Sequence, residues 1–144
     1  MNSEPTEQSG TTEQTPYERF GGHEFFVAFI HDFYQGVSGD SVLRPLYPEA
    51  DLGPAEDRFR MFLEQYWGGP TTYSDQRGHP RLRLRHQPFA IDEAARDHWL
   101  MHIRTALDAR ELSPALDDEM WRYLVSAAQA MVNVHEDIRP PERP

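Results

Sequence analysis

The chain has 144 residues, no cysteine, and 14 Lys and Arg against 24 Asp and Glu, a net charge of −10. That length suits one compact domain able to bury a sizeable core, and the missing thiols exclude disulfides, thiolate metal sites and a cysteine nucleophile. The acidic balance argues against nucleic acid or an anionic membrane as a partner. With no apolar run long enough to span a membrane and no signal-peptide core at the N-terminus, a soluble cytoplasmic protein is expected.

Residues 1–15 are Ser, Thr, Glu, Gln and Gly with almost nothing apolar; such a segment cannot offset its ordering entropy by burial and is expected to be a disordered tail. The domain is expected over 16–138, and 139–144 as a second unstructured end. Four stretches carry helical periodicity. The first follows Gly21 and Gly22 and puts Phe26, Phe29, Ile30, Phe33, Tyr34 and Val37 on one stripe. The second starts near Pro54, a residue suited to the first helical turn, with Glu56 and Asp57 near the positive end of the dipole. It aligns Phe59, Phe62, Leu63, Tyr66 and Trp67, and Gly68, Gly69 and Pro70 stop it. The segment 71–89 then has no helical period, and 81–86 alternates like a strand that has no partner. A long irregular segment inside a compact domain is usually functional, and Arg81, Arg83 and Arg85 gathered on it suggest an anionic ligand. The third helix has Asp92 as its N-cap and aligns Ala95, Trp99, Ile103, Ala106 and Leu107. The fourth runs from about Asp117 and aligns Met120, Leu124, Ala127, Ala128 and Met131.

Seven histidines compete as ligands: His23, His31, His79, His86, His98, His102 and His135. His98 and His102 form an i, i+4 pair that could clamp zinc, but no third ligand is evident and a partly solvated helix face is the simpler account. His86 stands apart. It follows three arginines and precedes Pro88 and Phe89, an apolar wall. One imidazole suffices for an iron whose other bonds come from a macrocycle, and arginines beside it can pair with that macrocycle's carboxylates. By its residues alone it is equally a loop histidine between core helices. The stripe aromatics are most simply core. However, Tyr34, Tyr66 and Trp99, with Tyr47 between the first two helices, carry polar atoms that need partners, and several such donors converging would line a pocket.

At 60–70 (RMFLEQYWGGP), 73–74 (YS), 76–83 (QRGHPRLR), 85–86 (RH) and 88–89 (PF) the chain resembles the truncated haemoglobins, specifically group II as found in actinobacteria. Residues 42–44 (VLR), 47–49 (YPE), Gly21 with Gly22, 96–97 (RD) and 99–100 (WL) match as well, so the resemblance spans about 17–134.

The resemblance implies an all-α fold, a two-over-two helical sandwich around haem b. It places the proximal iron ligand on His86, the distal tryptophan on Trp99 and two distal tyrosines on Tyr34 and Tyr47. The position of a classical distal histidine falls on Ala55. Phe59 stands one turn on, where a smaller aliphatic residue would be expected, and should narrow ligand access or shift the distal pocket. Phe62 and Phe89 are expected as further pocket walls, and Arg85, Tyr66 and Arg83 as contacts of the haem propionates. The implied ligand is dioxygen, released slowly because Trp99, Tyr47 and Tyr34 donate hydrogen bonds to it; nitric oxide, carbon monoxide and peroxide are further candidate ligands. Nitric oxide dioxygenation or peroxidase turnover would need an unidentified reductase, because no flavin or nicotinamide motif is present. The alternatives are a gas carrier or sensor without turnover, and a haem-free helical or zinc-binding module.

Overall fold

Helix formation begins at Thr15, whose hydroxyl accepts from the Glu18 N–H while the Glu18 carboxylate accepts from the Thr15 N–H, a reciprocal capping box. The computed structural model describes residues 14–78 and 91–133, and every regular element among them is helical. The order is α1 (Pro16–Phe20), α2 (Gly22–Ser38), a 3₁₀ turn (Arg44–Leu46), α3 (Gly53–Tyr66), α4 (Thr72–Arg77), α5 (Glu93–Asp108) and α6 (Pro114–Met131). His79, Arg81, Arg83, Arg85, His86, Phe89 and His135 lie outside the described residues, as do the strand-like alternation at 81–86 and both terminal tails up to residue 13 and from residue 134.

The α2 stripe is the centre of the core: Phe26, Phe29, Ile30, Phe33 and Val37 are fully buried and Tyr34 nearly so. Burying each such side chain contributes about 1.5–3 kcal/mol. Helix α2 packs on both α3 and α5, and α5 packs on α6. The outcome is two helices over two, the sandwich expected from the resemblance. From α5 the core takes Ala95, Ile103, Ala106 and Leu107, and from α6 Met120 and Leu124. Asp92 caps α5 by accepting from the Ala95 N–H at 2.8 Å, as its position predicted.

Four expectations need correction. Thr15, assigned to the disordered tail, is the N-cap of α1, and the Thr15-to-Glu18 spacing was the overlooked signal. Residues Thr72–Arg77 are helical although 71–89 has no helical period; a single turn and a half is too short to display one. Helix α6 begins at Pro114 rather than Asp117, because the Ser113 hydroxyl caps it and Pro114 occupies its first turn. Tyr66 is not in the core: it is 51% exposed, while Leu63 and Trp67, one turn apart, take the buried side of the last turn of α3.

The stop after α3 depends on two glycines. Gly68 adopts φ +99°, open to glycine at no cost. A Cβ on Gly69 would lie 2.6 Å from the Tyr17 ring and 2.9 Å from the Glu64 carbonyl. That close approach lets the Tyr17 N–H donate to the Trp67 carbonyl at 2.8 Å, tying α1 to the end of α3. Glu64, buried to 3% exposure, holds the same region together by pairing with His23 at 2.7 Å and Arg60 at 3.0 Å.

Candidate functional site

Ala55, Phe59 and Phe62 of α3 are spaced so that they share one side of the helix, Ala55 within the core and the two rings packed against it. Trp99 of α5 stands against Phe59, and Ala95 of α5, Leu124, Ala127 and Ala128 of α6 and, from the corner between α2 and α3, Leu43, Leu46 and Tyr47 complete the lining. These residues enclose a cavity of about 460 Å³, within the range of small-molecule and cofactor sites.

One wall of the cavity is aromatic and carries its hydrogen-bond donors. The Phe33, Phe59 and Trp99 rings contact one another in a triangle, with centroids 5.7 Å (Phe33–Phe59), 5.4 Å (Phe33–Trp99) and 5.7 Å (Phe59–Trp99) apart. Tyr34 meets Phe33 edge-on at 4.9 Å and Tyr47 at 5.7 Å. The packing fixes where the polar atoms sit. Burial pushes the Tyr34 phenol well up, reinforced by Tyr47 beside it. Burial also raises the Tyr47 phenol, and hydrogen bonding from Tyr34 and Trp99 offsets part of that rise. All three groups are therefore neutral donors at neutral pH.

The charged lining is three arginines and Glu49. Arg58, Arg77 and Arg96 all line the cavity. Arg58 is paired in fork geometry with Glu49, at 3.0 and 3.1 Å, which raises its pKa. Arg77 lies over the Tyr73 ring at 5.8 Å, and Arg96 donates to Gln129 at 2.6 Å. A flat apolar group bearing acidic substituents fits this chemistry: apolar walls for its faces, guanidinium groups for its carboxylates, and O–H and N–H donors on one side only.

Of the residues expected at a site, Tyr34, Tyr47, Ala55, Phe59, Phe62 and Trp99 come together around this cavity. Tyr66 does not line it; its ring stacks on Tyr123, itself a lining residue, at 4.0 Å. His86, Arg83, Arg85 and Phe89 fall outside the described residues. The rim cations Arg58 and Arg96 were missed, although helical spacing carried the signal: Arg58 lies three residues after Ala55 and Arg96 three before Trp99, each on the cavity face. His98 and His102 do not form a zinc clamp. They both bond to Asp40, and no group of three His, Cys, Asp or Glu among the described residues is arranged to hold a metal ion.

Comparison with known proteins gives a consistent result. The profile of the bacterial-like globin family matches residues 15–133. The group 2 truncated hemoglobin YjbI of Bacillus subtilis (strain 168) is 35% identical over 127 residues, covering 88% of this chain and 95% of that protein. The X-ray structure of a thermostable hemoglobin from the actinobacterium Thermobifida fusca superposes with a TM-score of 0.83 at 58% identity, over 84% of this chain and 98% of the other. The hemoglobin of Chloroflexus aurantiacus, a thermophilic phototrophic bacterium, gives 0.81 at 47% identity, over 85% and 100%.

Proposed function

The chain belongs to the bacterial-like globin family as a group II truncated haemoglobin, and from that premise we propose that its cavity holds haem b and retains dioxygen through donors on one wall. Membership makes the chain a haem-binding, oxygen-binding protein; the assignments that follow are our own. The observation that carries them is the convergence of Tyr34, Tyr47 and Trp99 on one wall of a cavity whose rim bears Arg58, Arg77 and Arg96.

When bound, the haem supplies a ferrous iron with an open coordination position for a diatomic ligand. His86 would hold the group's iron by a neutral imidazole nitrogen. The rim arginines, with Arg85 and Arg83, neutralise the propionates. Phe59, Phe62 and Phe89 exclude water from the faces of the ring. Tyr66, outside the cavity, would act only indirectly, by supporting the lining residue Tyr123 on which its ring stacks. The Trp99 indole N–H and the Tyr47 and Tyr34 hydroxyls would donate to a bound ligand that carries negative charge. Each such bond is worth roughly 1.5–3 kcal/mol, enough to slow release about tenfold or more. Slow release suits chemistry or sensing better than bulk carriage. Nitric oxide, carbon monoxide and peroxide are further ligands for the same wall, and any turnover of them draws its electrons from a separate reductase.

The absorption spectrum of the purified protein tests the haem assignment, since haem gives an intense Soret band. His86→Ala should lose haem on gel filtration; full occupancy with an unaltered iron spectrum would reject the axial role.

A further inference from the structure

Asp40 lies two residues after the end of α2, outside the cavity wall, and its carboxylate is almost sealed from solvent at 5% side-chain exposure. Both of its oxygens are spoken for. Oδ1 accepts from the backbone N–H groups of Val42 at 2.8 Å and Leu43 at 3.0 Å. Oδ2 accepts from His98 Nδ1 at 2.9 Å and His102 Nε2 at 2.7 Å, both on α5. Gly36 makes room for this arrangement, because a Cβ there would run into the His102 ring. From Asp40 a relay of backbone bonds leads into the cavity wall. The Arg44 N–H donates to the Asp40 carbonyl at 2.8 Å, and the Tyr47 N–H to the Arg44 carbonyl at 3.1 Å. The Arg44 guanidinium then closes on the Tyr47, Glu49 and Ala50 carbonyls. One end of the relay is thus fastened to α5 at His98, the residue next to Trp99, and the other end is Tyr47.

We propose that Asp40 is a positioning residue for the ligand wall: by joining the 40–47 corner to His98 and His102 it sets where the Tyr47 hydroxyl stands relative to the Trp99 indole. The inference rests on the reading of the cavity as the ligand site. Two sequence-distant segments supply the two donors, and nothing covalent fixes their separation. Beside the direct bond from Trp99 to Tyr47, the carboxylate is a second polar link between the segments, and each histidine meets it with a single N–H. The charged and titratable groups facing Asp40 are His98 and His102 from α5; from the corner only backbone N–H groups face it.

The test uses the full-length protein as purified. Asp40→Asn keeps an oxygen for Val42 and Leu43 and removes the carboxylate from the histidines. Oxygen release should quicken roughly threefold or more, and in a Tyr47→Phe background the same change should add nothing, the signature of two residues acting as one unit. Additive effects would overturn the proposal. A second readout is the Trp99 indole N–H cross-peak, assigned with Trp99→Phe and recorded in the carbon monoxide form. It should shift in Asp40→Asn; an unmoved peak would also overturn the proposal. Should the purified protein carry no haem, the reading of the cavity fails, and the cross-peak of the protein as purified still decides the role of Asp40. Should Asp40→Asn not fold, His102→Ala should move the peak and His102→Gln, which retains a donor, should restore it; equal behaviour of those two refutes the link.

Discussion

Replacing Trp99 by Phe removes one hydrogen-bond donor and little else from the cavity wall. The remaining ring can keep its contacts with Phe33 and Phe59, now 5.4 and 5.7 Å from the indole. The loss of packing stays below the roughly 3–5 kcal/mol that truncation to alanine would cost, so the variant should fold. A hydrogen bond to a charged ligand is worth about 1.5–3 kcal/mol, and each 1.4 kcal/mol is a factor of ten. Tyr47 and Tyr34 remain as donors, and Tyr47, relieved of the Trp99 N–H, is freer to turn toward the ligand. The lower end of the range therefore applies: oxygen release about tenfold faster, with association little changed. Stopped-flow displacement of oxygen by carbon monoxide measures it directly. An unchanged release rate in Trp99→Phe, together with a faster one in Tyr47→Phe, would show that the tyrosine alone retains the ligand and would refute the indole's role.

Three further outcomes follow from the geometry. Gly36→Ala should displace His102 and lower the melting temperature by roughly 3–6 °C, whereas in a His102→Ala background the same change should be neutral or stabilising, since Ala exceeds Gly in helices by about 1 kcal/mol; thermal unfolding by circular dichroism compares the two. Asp40 is held below the usual carboxylate range: burial alone would raise it, but the hydrogen bonds from His98, His102, Leu43 and Val42 outweigh burial. Its contribution to stability is thus present above the unfolded value of about 3.9 and is lost as pH falls through the lower folded value. Asp40→Asn should consequently be less stable than the parent at neutral pH, with the gap closing in acid, as urea unfolding across pH would show. Thr15→Ala removes the cap of α1 and should cost about 1 kcal/mol, measured the same way; no loss would mean that the tie from Tyr17 to Trp67 holds α1 unaided.

What the sequence determined by itself is what short-range physics controls. The four main helices follow from apolar spacing, and the Asp92 cap, the Pro54 start and the Gly68–Gly69 stop follow from backbone requirements that a few neighbouring residues express. The motif resemblance added the family, the two-over-two architecture and the group of Tyr34, Tyr47 and Trp99. Where the local signal was short, it was overlooked: the capping box at Thr15, the brief α4 and the Ser113–Pro114 start of α6 each occupy only a few residues.

Tertiary structure alone decided the partners. Periodicity could place Tyr66 on the Phe59 and Phe62 side of α3 but not reveal that this side faces a cavity that ends before Tyr66, leaving its ring outside against Tyr123. It could show that His98 and His102 share a face but not that the end of α2 delivers a buried carboxylate to that face. Nor could it assemble Arg58, Arg77 and Arg96 at one rim. Helical period is a property of neighbours along the chain, whereas a buried charge or a cavity wall is assembled from segments whose meeting depends on how whole helices pack.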